Sequence, residues 1–229
     1  MLKKNKMFLI IKGNSQRIER KNFQELGGLP LHEFFIKQRK FFDIYIDTDS
    51  DEIFDFYQNN ADYPYVNVYM REQQHIDIEN DGNSSPAPQL IKRFLENHVN
   101  NDDEIVVTSH ITSPFIKDST IIEAIEKMKE CDSVSSVLSV QEFCVDNIGN
   151  LGTAINFDSN KIVKTQSLTP IGILNGAFFI VRKGIFLNNN NRRISDHHFY
   201  FPIDEIEAMD IDTPMHLQLS RTLLKAEII

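Results

Sequence analysis

Short runs rich in β-branched and aromatic residues, each followed by a stretch of helical length, recur from the start of this 229-residue chain to about residue 140. This β-α-β-α order constrains the fold more than any other feature, because it specifies an α/β domain built on a largely parallel central sheet. Strands are predicted at 7–11, 44–48, 65–69, 104–109, 133–140 and 176–181. Helices are predicted at 31–40, 50–59, 87–99 and 118–130, the last opening on Asp118-Ser119 as a cap ahead of Ile121, Ile122, Ile125 and Met128. After residue 140 the alternation breaks. Gly149, Gly152 and the turn at Asp158-Ser159-Asn160 suggest a hairpin, so 141–172 reads as an inserted lobe within a single domain spanning 1–229. The polar run Asn188 to Arg193 reads as a surface loop, and an amphipathic helix at about 214–226 follows Met209-Asp210-Ile211-Asp212-Thr213.

Composition narrows the partners. A hydrophobic content of 41% supports one sizeable core, not two. The longest apolar runs, FLII at 8–11 and GAFFIV at 176–181, fall far short of the roughly 20 residues that span a bilayer. Lys3, Lys4 and Lys6 precede only Met7 to Ile11, which lacks the apolar core of a signal peptide, and the expected location is the cytoplasm. Cys131 and Cys144 have neither metal-like nor redox-like spacing and are expected to be thiols. A net charge of -9 opposes binding along a nucleic-acid backbone. An anionic ligand must be held locally, and Lys12, Arg17, Arg20 and Lys21 offer such a place, interrupted by a single acid, Glu19.

That basic loop, Lys12 to Asn22, directly follows the first strand, where an α/β fold exposes backbone N–H groups to ligands and Gly13 permits close approach of a phosphate. It matches neither a Walker motif nor GxGxxG, so phosphate binding and a solvated basic loop stay open. In Met209 to Thr213, alternation along a short strand would put Asp210 and Asp212 on one side, an arrangement suited to Mg²⁺. The competing reading is that Asp212 or Thr213 caps the helix that begins near Pro214. Further polar residues end other strands: Asp47-Thr48-Asp49-Ser50, where Asp49 or Ser50 could cap a helix, Thr112-Ser113-Pro114, and Asn175-Gly176-Ala177. His197 and His198, adjacent in a strand, would face opposite ways and could not share an ion. His110, at a strand end, is a candidate substrate contact.

Taken in order, these segments resemble the acylneuraminate cytidylyltransferase family, the CMP-sialic acid synthetases and their legionaminic and pseudaminic relatives. The first loop, IKGNSQRIERKN, is similar to ARxxSKxxPxKN and keeps Ser15, Lys21 and Asn22. Leu26 to Leu31 resembles GGKPL, DTDSDEI resembles STDSEEI, and Arg71 stands for the Arg of RPxxLA. Asp81 with Ser84-Ser85 resembles DTASS, HITSPF resembles QPTSPL, Asn175-Gly176-Ala177 matches NGA, and Asp210 to Thr213 matches DIDT. The resemblance implies a three-layer α/β/α Rossmann-like nucleotidyltransferase fold with a small inserted dimerisation lobe, and a homodimer.

It also implies roles. The loop, with Gly13 and Asn14 in its path, would bind the CTP triphosphate through Lys12, Ser15, Arg17 and Lys21, while Asn22, Arg71 and Ser85 recognise the nucleoside. Asp210 and Asp212 would hold Mg²⁺, with Lys12, Lys21 and Asp212 acting in catalysis. His110, Thr112, Ser113 and Asn175 would meet a sugar-acid acceptor whose anomeric hydroxyl attacks the α-phosphorus and expels pyrophosphate. The chain departs from the pattern at Lys12 and Gln16, where the family has Arg and Lys, at Glu19 for Pro, and at His110 for Gln. Ile173-Leu174 precede Asn175 where the family has Arg, leaving Lys164 of the lobe as a candidate supplier of that charge. Alternative acceptors are a 3-deoxy-octulosonic acid or a phosphonate, and a descendant that binds nucleotide without catalysis is the reading from outside the enzymes.

Overall fold

The computed structural model describes residues 4–80, 85–161 and 163–227. The chain opens with β1 (Asn5–Ile11), whose run NKMFLII is buried on both faces as a central parallel strand requires. A single 3₁₀ turn at Lys21–Phe23 leads to a two-residue ribbon, β2 (Glu25–Leu26) and β3 (Leu29–Pro30), closed by Gly27 and Gly28 at φ 60° and 81°. Both turn residues need positive φ, which is why two glycines stand there. Then follow α1 (Leu31–Lys37), β4 (Phe42–Thr48), α2 (Asp51–Tyr57), β5 (Val66–Met70), α3 (Gln73–Asn80), α4 (Ala87–His98), β6 (Ile105–Ser109) and α5 (Asp118–Glu126). The second half adds β7 (Ser133–Val140), β8 (Ile171–Arg182), α6 (Lys183–Asn188), β9 (His198–Ile203) and α7 (Pro214–Lys225).

Among the described residues, seven strands form one sheet in the order β5-β4-β1-β6-β8-β7-β9. Every neighbouring pair is parallel except those made by β8, which runs against both β6 and β7. Period-two alternation splits the core into two layers. Met7, Leu9 and Ile11 pack with Phe35, Ile53 and Ile121 of α1, α2 and α5, while Phe8 packs with Leu90, Phe94 and Phe186 of α4 and α6. The result is the mostly parallel, helix-covered sheet expected from the alternating pattern.

Several boundaries differ from expectation. The strand predicted at 176–181 extends over Ile171–Arg182, so the excursion after β7 ends at residue 170 instead of 172. That excursion joins two antiparallel neighbours and contains one isolated bridge, Val145 to Ala154, where a hairpin was expected. Asp118 does not cap α5. It is the first helical residue, and its carboxylate faces the buried Arg39 guanidinium at 3.0 Å. No strand forms at 209–213; the segment is extended and tied by the Ile211 amide donating to Thr112 O at 2.7 Å. Five of the labelled elements went unpredicted: the ribbon strands β2 and β3, polar α3, six-residue α6, and β9, whose Pro202 is tolerated because this strand forms the sheet edge.

Candidate active site

Register brings the site together. Ile11 of β1 lies opposite Thr48 of β4, Thr48 opposite Met70 of β5, and Leu9 opposite Ser109 of β6. Parallel strands that end together release their next residues side by side: Lys12 after β1, Asp49 after β4, Arg71 after β5 and His110 after β6. This is the carboxyl-end crevice in which open α/β sheets bind ligands.

Asp49 organises the start of the basic loop. Its Oδ1 accepts from the Gly13 amide at 2.6 Å, and its Oδ2 lies 3.6 Å from Arg71 Nη1. Arg71 is itself buried, with Nε donating to Asp47 Oδ1 at 2.7 Å. Burial pushes the Asp47 carboxyl above its ordinary value, and the Arg71 hydrogen bond and charge pull it back only in part. Arg71 thus braces two strand ends. Gly13 lies so close to the N-cap of α2 that an added Cβ would stand 3.2 Å from Ser50 Cβ. Ser50 is that cap, its Oγ accepting from Ile53 N at 3.4 Å.

Further along, buried Asn22 donates from Nδ2 to Lys12 O at 2.7 Å and closes the loop on itself. Arg20, in the left-handed region at φ 48°, pairs with Glu52 at 2.5 Å and lies over the Phe23 ring. A cleft of about 200 Å³ opens between loop and α2, lined by Gly13, Asn14, Arg20, Phe23, Asp49, Ser50 and Glu52. Desolvation, then repulsion from Arg71, lowers the Lys12 pKa; Asp49 opposes this and Lys21 adds to it. Lys12, Arg71, Lys21 and Asp49 therefore share one electrostatic neighbourhood.

The loop meets the acidic segment through a small apolar cluster that buries Ile18 and Ile211 with Leu26, Leu31, Phe115 and Leu217. With the two isoleucines pinned, their polar neighbours face each other. Lys21 Nζ donates to Ile211 O at 2.9 Å and to Asp212 Oδ1 at 3.3 Å, and Arg17 Nη1 reaches Asp212 Oδ2 at 2.5 Å. Burial pushes the Asp212 carboxyl up, but the charges and hydrogen bonds of Lys21 and Arg17 outweigh it and hold the pKa below the usual range. Asp210 is raised instead, by burial first; a Thr112 hydrogen bond pulls it down and the Asp212 charge adds to the rise. One Asp210 oxygen, Oδ1, is buried without a hydrogen-bond partner. An orphaned carboxylate oxygen beside a second carboxylate fits a hard divalent cation. No group of three His, Cys, Asp or Glu forms a metal cluster among the described residues, so phosphate and water would have to complete such a shell. Thr213, not Asp212, caps α7, its Oγ1 accepting from His216 N at 3.3 Å.

His110 follows β6 and is exposed at its surface, while many protein atoms pack around the ring. Desolvation, then the charges of Arg193 and Lys21, bring its pKa down to about 4 against the pull of Asp212. Its imidazole is neutral at neutral pH. Asn175 accepts from Ser136 Oγ at 2.6 Å and from the Ala177 amide at 3.3 Å, leaving Nδ2 buried and unpartnered.

The matched span decides what this arrangement belongs to: a family model described as cytidylyltransferase covers residues 11–215, from the end of β1 through the basic loop to the start of α7. The chain belongs to the cytidylyltransferase family. No curated protein matches its sequence. Among solved structures, a CMP:2-keto-3-deoxy-manno-octonic acid synthetase complexed with CTP is similar over 98% of this chain and 100% of its own, at TM-score 0.64 and 12% identity. A 4-diphosphocytidyl-2C-methyl-D-erythritol synthase matches at TM-score 0.64 and 12% identity over 97% and 100%. The Francisella tularensis 2-C-methyl-D-erythritol 4-phosphate cytidylyltransferase matches at TM-score 0.60 and 13% identity over 95% and 99%. These likenesses are of fold.

Within the cytidylyltransferase, Lys12, Arg17, Lys21, Thr112, Asp210 and Asp212 converge, with His110 and Asn175 beside them. Gly13, Asn22 and Arg71 are held in place by the protein itself: the Gly13 amide donates to Asp49, Asn22 Nδ2 to Lys12 O and Arg71 Nε to Asp47. Ser113 is 1% exposed and serves a turn, its amide donating to His110 O at 3.0 Å. Ser15 lies half-buried on the loop. Ser85 accepts from the Ala87 amide at 3.3 Å ahead of α4, while Asp81 and Ser84 lie outside the described residues. Lys164 sits exposed in the excursion. His198 bonds Ser133 at 2.6 Å and Ser135 at 2.8 Å, a structural use of both ring nitrogens. Asp49, read from the sequence as a strand-end residue or a helix cap, instead accepts from the Gly13 amide, while Ser50 is the cap. A larger cavity of about 420 Å³ runs along the outer edge of β5 and is lined by none of the predicted site residues. No helix among the described residues is long and apolar enough to cross a membrane.

Proposed function

We propose that this CTP-using cytidylyltransferase activates a nonulosonic, sialic-type sugar acid, giving the CMP-sugar and pyrophosphate. The observation that carries the reading is the meeting of a basic loop and a carboxylate pair through Lys21, which bonds both Ile211 O and Asp212. Asp212 is the counter-ion to Lys21 and Arg17. A triphosphate gives both cations a stronger anionic partner and frees the carboxylate. Lys12, Ser15, Arg17 and Lys21 then hold the phosphate oxygens, and the cations offset charge that grows on the departing pyrophosphate as the anomeric hydroxyl attacks the α-phosphorus in line. Asp210 and Asp212 would hold Mg²⁺, which supplies Lewis-acid charge to the phosphate oxygens. Neutral His110, with Thr112 and Asn175, borders the space left for the acceptor.

A homodimer is part of the same proposal. Phe143, Val145, Ile148, Leu151, Ile155, Val163, Ile173 and Leu174, all in or next to the excursion, are exposed, with Ile148 91% and Leu151 101% accessible. So much apolar surface in one segment supports burial against a second copy.

The test is pyrophosphate release from each of four nucleoside triphosphates with Mg²⁺ and a panel of sialic, legionaminic, pseudaminic and 3-deoxy-octulosonic acids. Release with CTP and a nine-carbon acid is the expected outcome. Turnover of the 3-deoxy-octulosonic acid alone would favour the second reading, which the fold of the octonic acid synthetase supports. CTP binding with silence across the panel would favour the non-catalytic one.

A further inference from the structure

Arg193 closes the polar run after α6, and its surroundings differ from those of the other arginines. Its guanidinium lies 3.8 Å from the centroid of the Phe179 ring, and Nη1 reaches Thr108 Oγ1 at 3.4 Å. Thr108 and Phe179 are paired residues of β6 and β8, so the cation sits over the sheet two residues short of His110. An added Cβ on Gly176 would stand 3.7 Å from His110 and 3.9 Å from Phe179, which makes the ground from Arg193 to Asn175-Gly176 continuous. Other interior arginines face carboxylates or carbonyls: Arg39 faces Asp118 at 3.0 Å, Arg71 faces Asp47 at 2.7 Å, and Arg182 donates to the carbonyls of Cys131 and Met128. Among the described residues, no carboxylate pairs with Arg193. Burial lowers its pKa to about 10 with no acidic group opposing the fall.

A part-buried guanidinium over an aromatic ring, with a hydroxyl as its only hydrogen-bond partner among the described residues, is a charge in want of an anion. The planar fork matches a carboxylate in two parallel hydrogen bonds. Ile173 and Leu174, just ahead of Asn175, are exposed and apolar and supply no charge. We propose that Arg193 is the anion anchor of the acceptor pocket and takes the oxyanion of the incoming substrate, so that the Thr108, His110 and Phe179 wall determines which acid is held. The anion is a carboxylate if the sugar-acid reading above holds, and that clause alone depends on it. A sugar phosphate would use the same chemistry.

The experiment separates the two ideas. Wild type, Arg193→Gln and Arg193→Lys, each confirmed folded by its melting curve, are loaded with CTP in EDTA, so that binding is measured without turnover. Each is titrated calorimetrically with N-acetylneuraminate, 3-deoxy-octulosonate, their carboxyl-reduced alcohols and a sugar phosphate. For Arg193→Gln, acid binding is expected to weaken at least roughly 30-fold, as for a truncated buried charge pair. The lysine variant should fall between, affinity for CTP should stay within about twofold of wild type, and the reduced alcohols should bind wild type and variant alike. If wild type binds only the sugar phosphate and Arg193→Gln loses it, the anchor stands and the sugar-acid reading falls. Undiminished acid binding by Arg193→Gln overturns the anchor while leaving the function intact, and wild type that binds no anionic acceptor overturns it as well.

Discussion

At the scale of single residues, placement turns ordinary side chains into specialised ones. Asp49 and Arg71 are each the first residue after a strand, and together they clamp the amide of Gly13 so that the basic loop starts from a fixed point. His32 illustrates the energetic side. It is 3% exposed, bonds Tyr57 Oη through Nδ1 at 2.9 Å and meets Phe23 and Phe56 edge-on. Burial drives its pKa from the ordinary 6.5 to about 4, in spite of Glu33 and Glu52. Because the folded pKa is the lower one, the unfolded chain takes up the proton first. The contribution of neutral His32 is whole above about pH 6.5 and is lost progressively as the pH falls to about 4. At about 1.4 kcal/mol per pKa unit this amounts to roughly 3 kcal/mol. Urea unfolding across that window should therefore give wild type a steeper loss of stability than His32→Gln, and parallel curves would exclude His32 as the titrating group.

At the scale of elements, the start of α7 separates two roles that alternation alone leaves tangled. Thr213 supplies the cap, while Asp212 turns to Lys21 and Arg17. Thr213→Ala should cost about 1 kcal/mol in chemical denaturation, with metal-dependent turnover retained. Asp212→Asn should do the reverse, staying folded while turnover falls by roughly 10²–10³, as when a preorganised electrostatic group is removed. Near-normal activity in Asp212→Asn would remove this carboxylate from the metal assignment. The same segment shows why a correct consequence can follow from an incorrect element. No strand exists at 209–213, yet Ile211 is anchored by its amide and its burial, so its two acidic neighbours still come within electrostatic reach of each other.

For the whole molecule, the excursion between β7 and β8 carries the most exposed large apolar side chains among the described residues, Ile148 and Leu151. Its internal order comes from side chains that bond backbone, such as Asn156 Nδ2 to the carbonyls of Glu142 and Thr169, in place of a core of its own. A second copy that covers Ile148 and Leu151 would bury apolar area worth about 25 cal/mol per Å². Sedimentation should find wild type as a dimer and Ile148→Asp/Leu151→Asp as a folded monomer. A wild-type monomer, or a double variant that still dimerises, would assign that surface elsewhere.

What the sequence determined by itself is the part governed by local physics. Buried strands followed by amphipathic helices specified the layers and the strand ends, and the ordered basic and acidic segments pointed to the family. The tertiary structure decided which donors remain available and which are consumed. Asn22 and Arg71 are letters in a motif until the chain folds, when Asn22 Nδ2 donates to Lys12 O and Arg71 Nε to Asp47, which sets where each side chain is held. Arg193 lies in a run of asparagines and arginines that any solvated loop could have, and only the pairing of β6 with β8 sets Phe179 and Thr108 beneath it. Periodicity is a property of neighbours along the chain. The charge state and partners of a functional side chain depend on residues 85 or 195 positions away, as for Arg193 with Thr108 and Arg17 with Asp212, and that information exists only after long-range packing has brought them together.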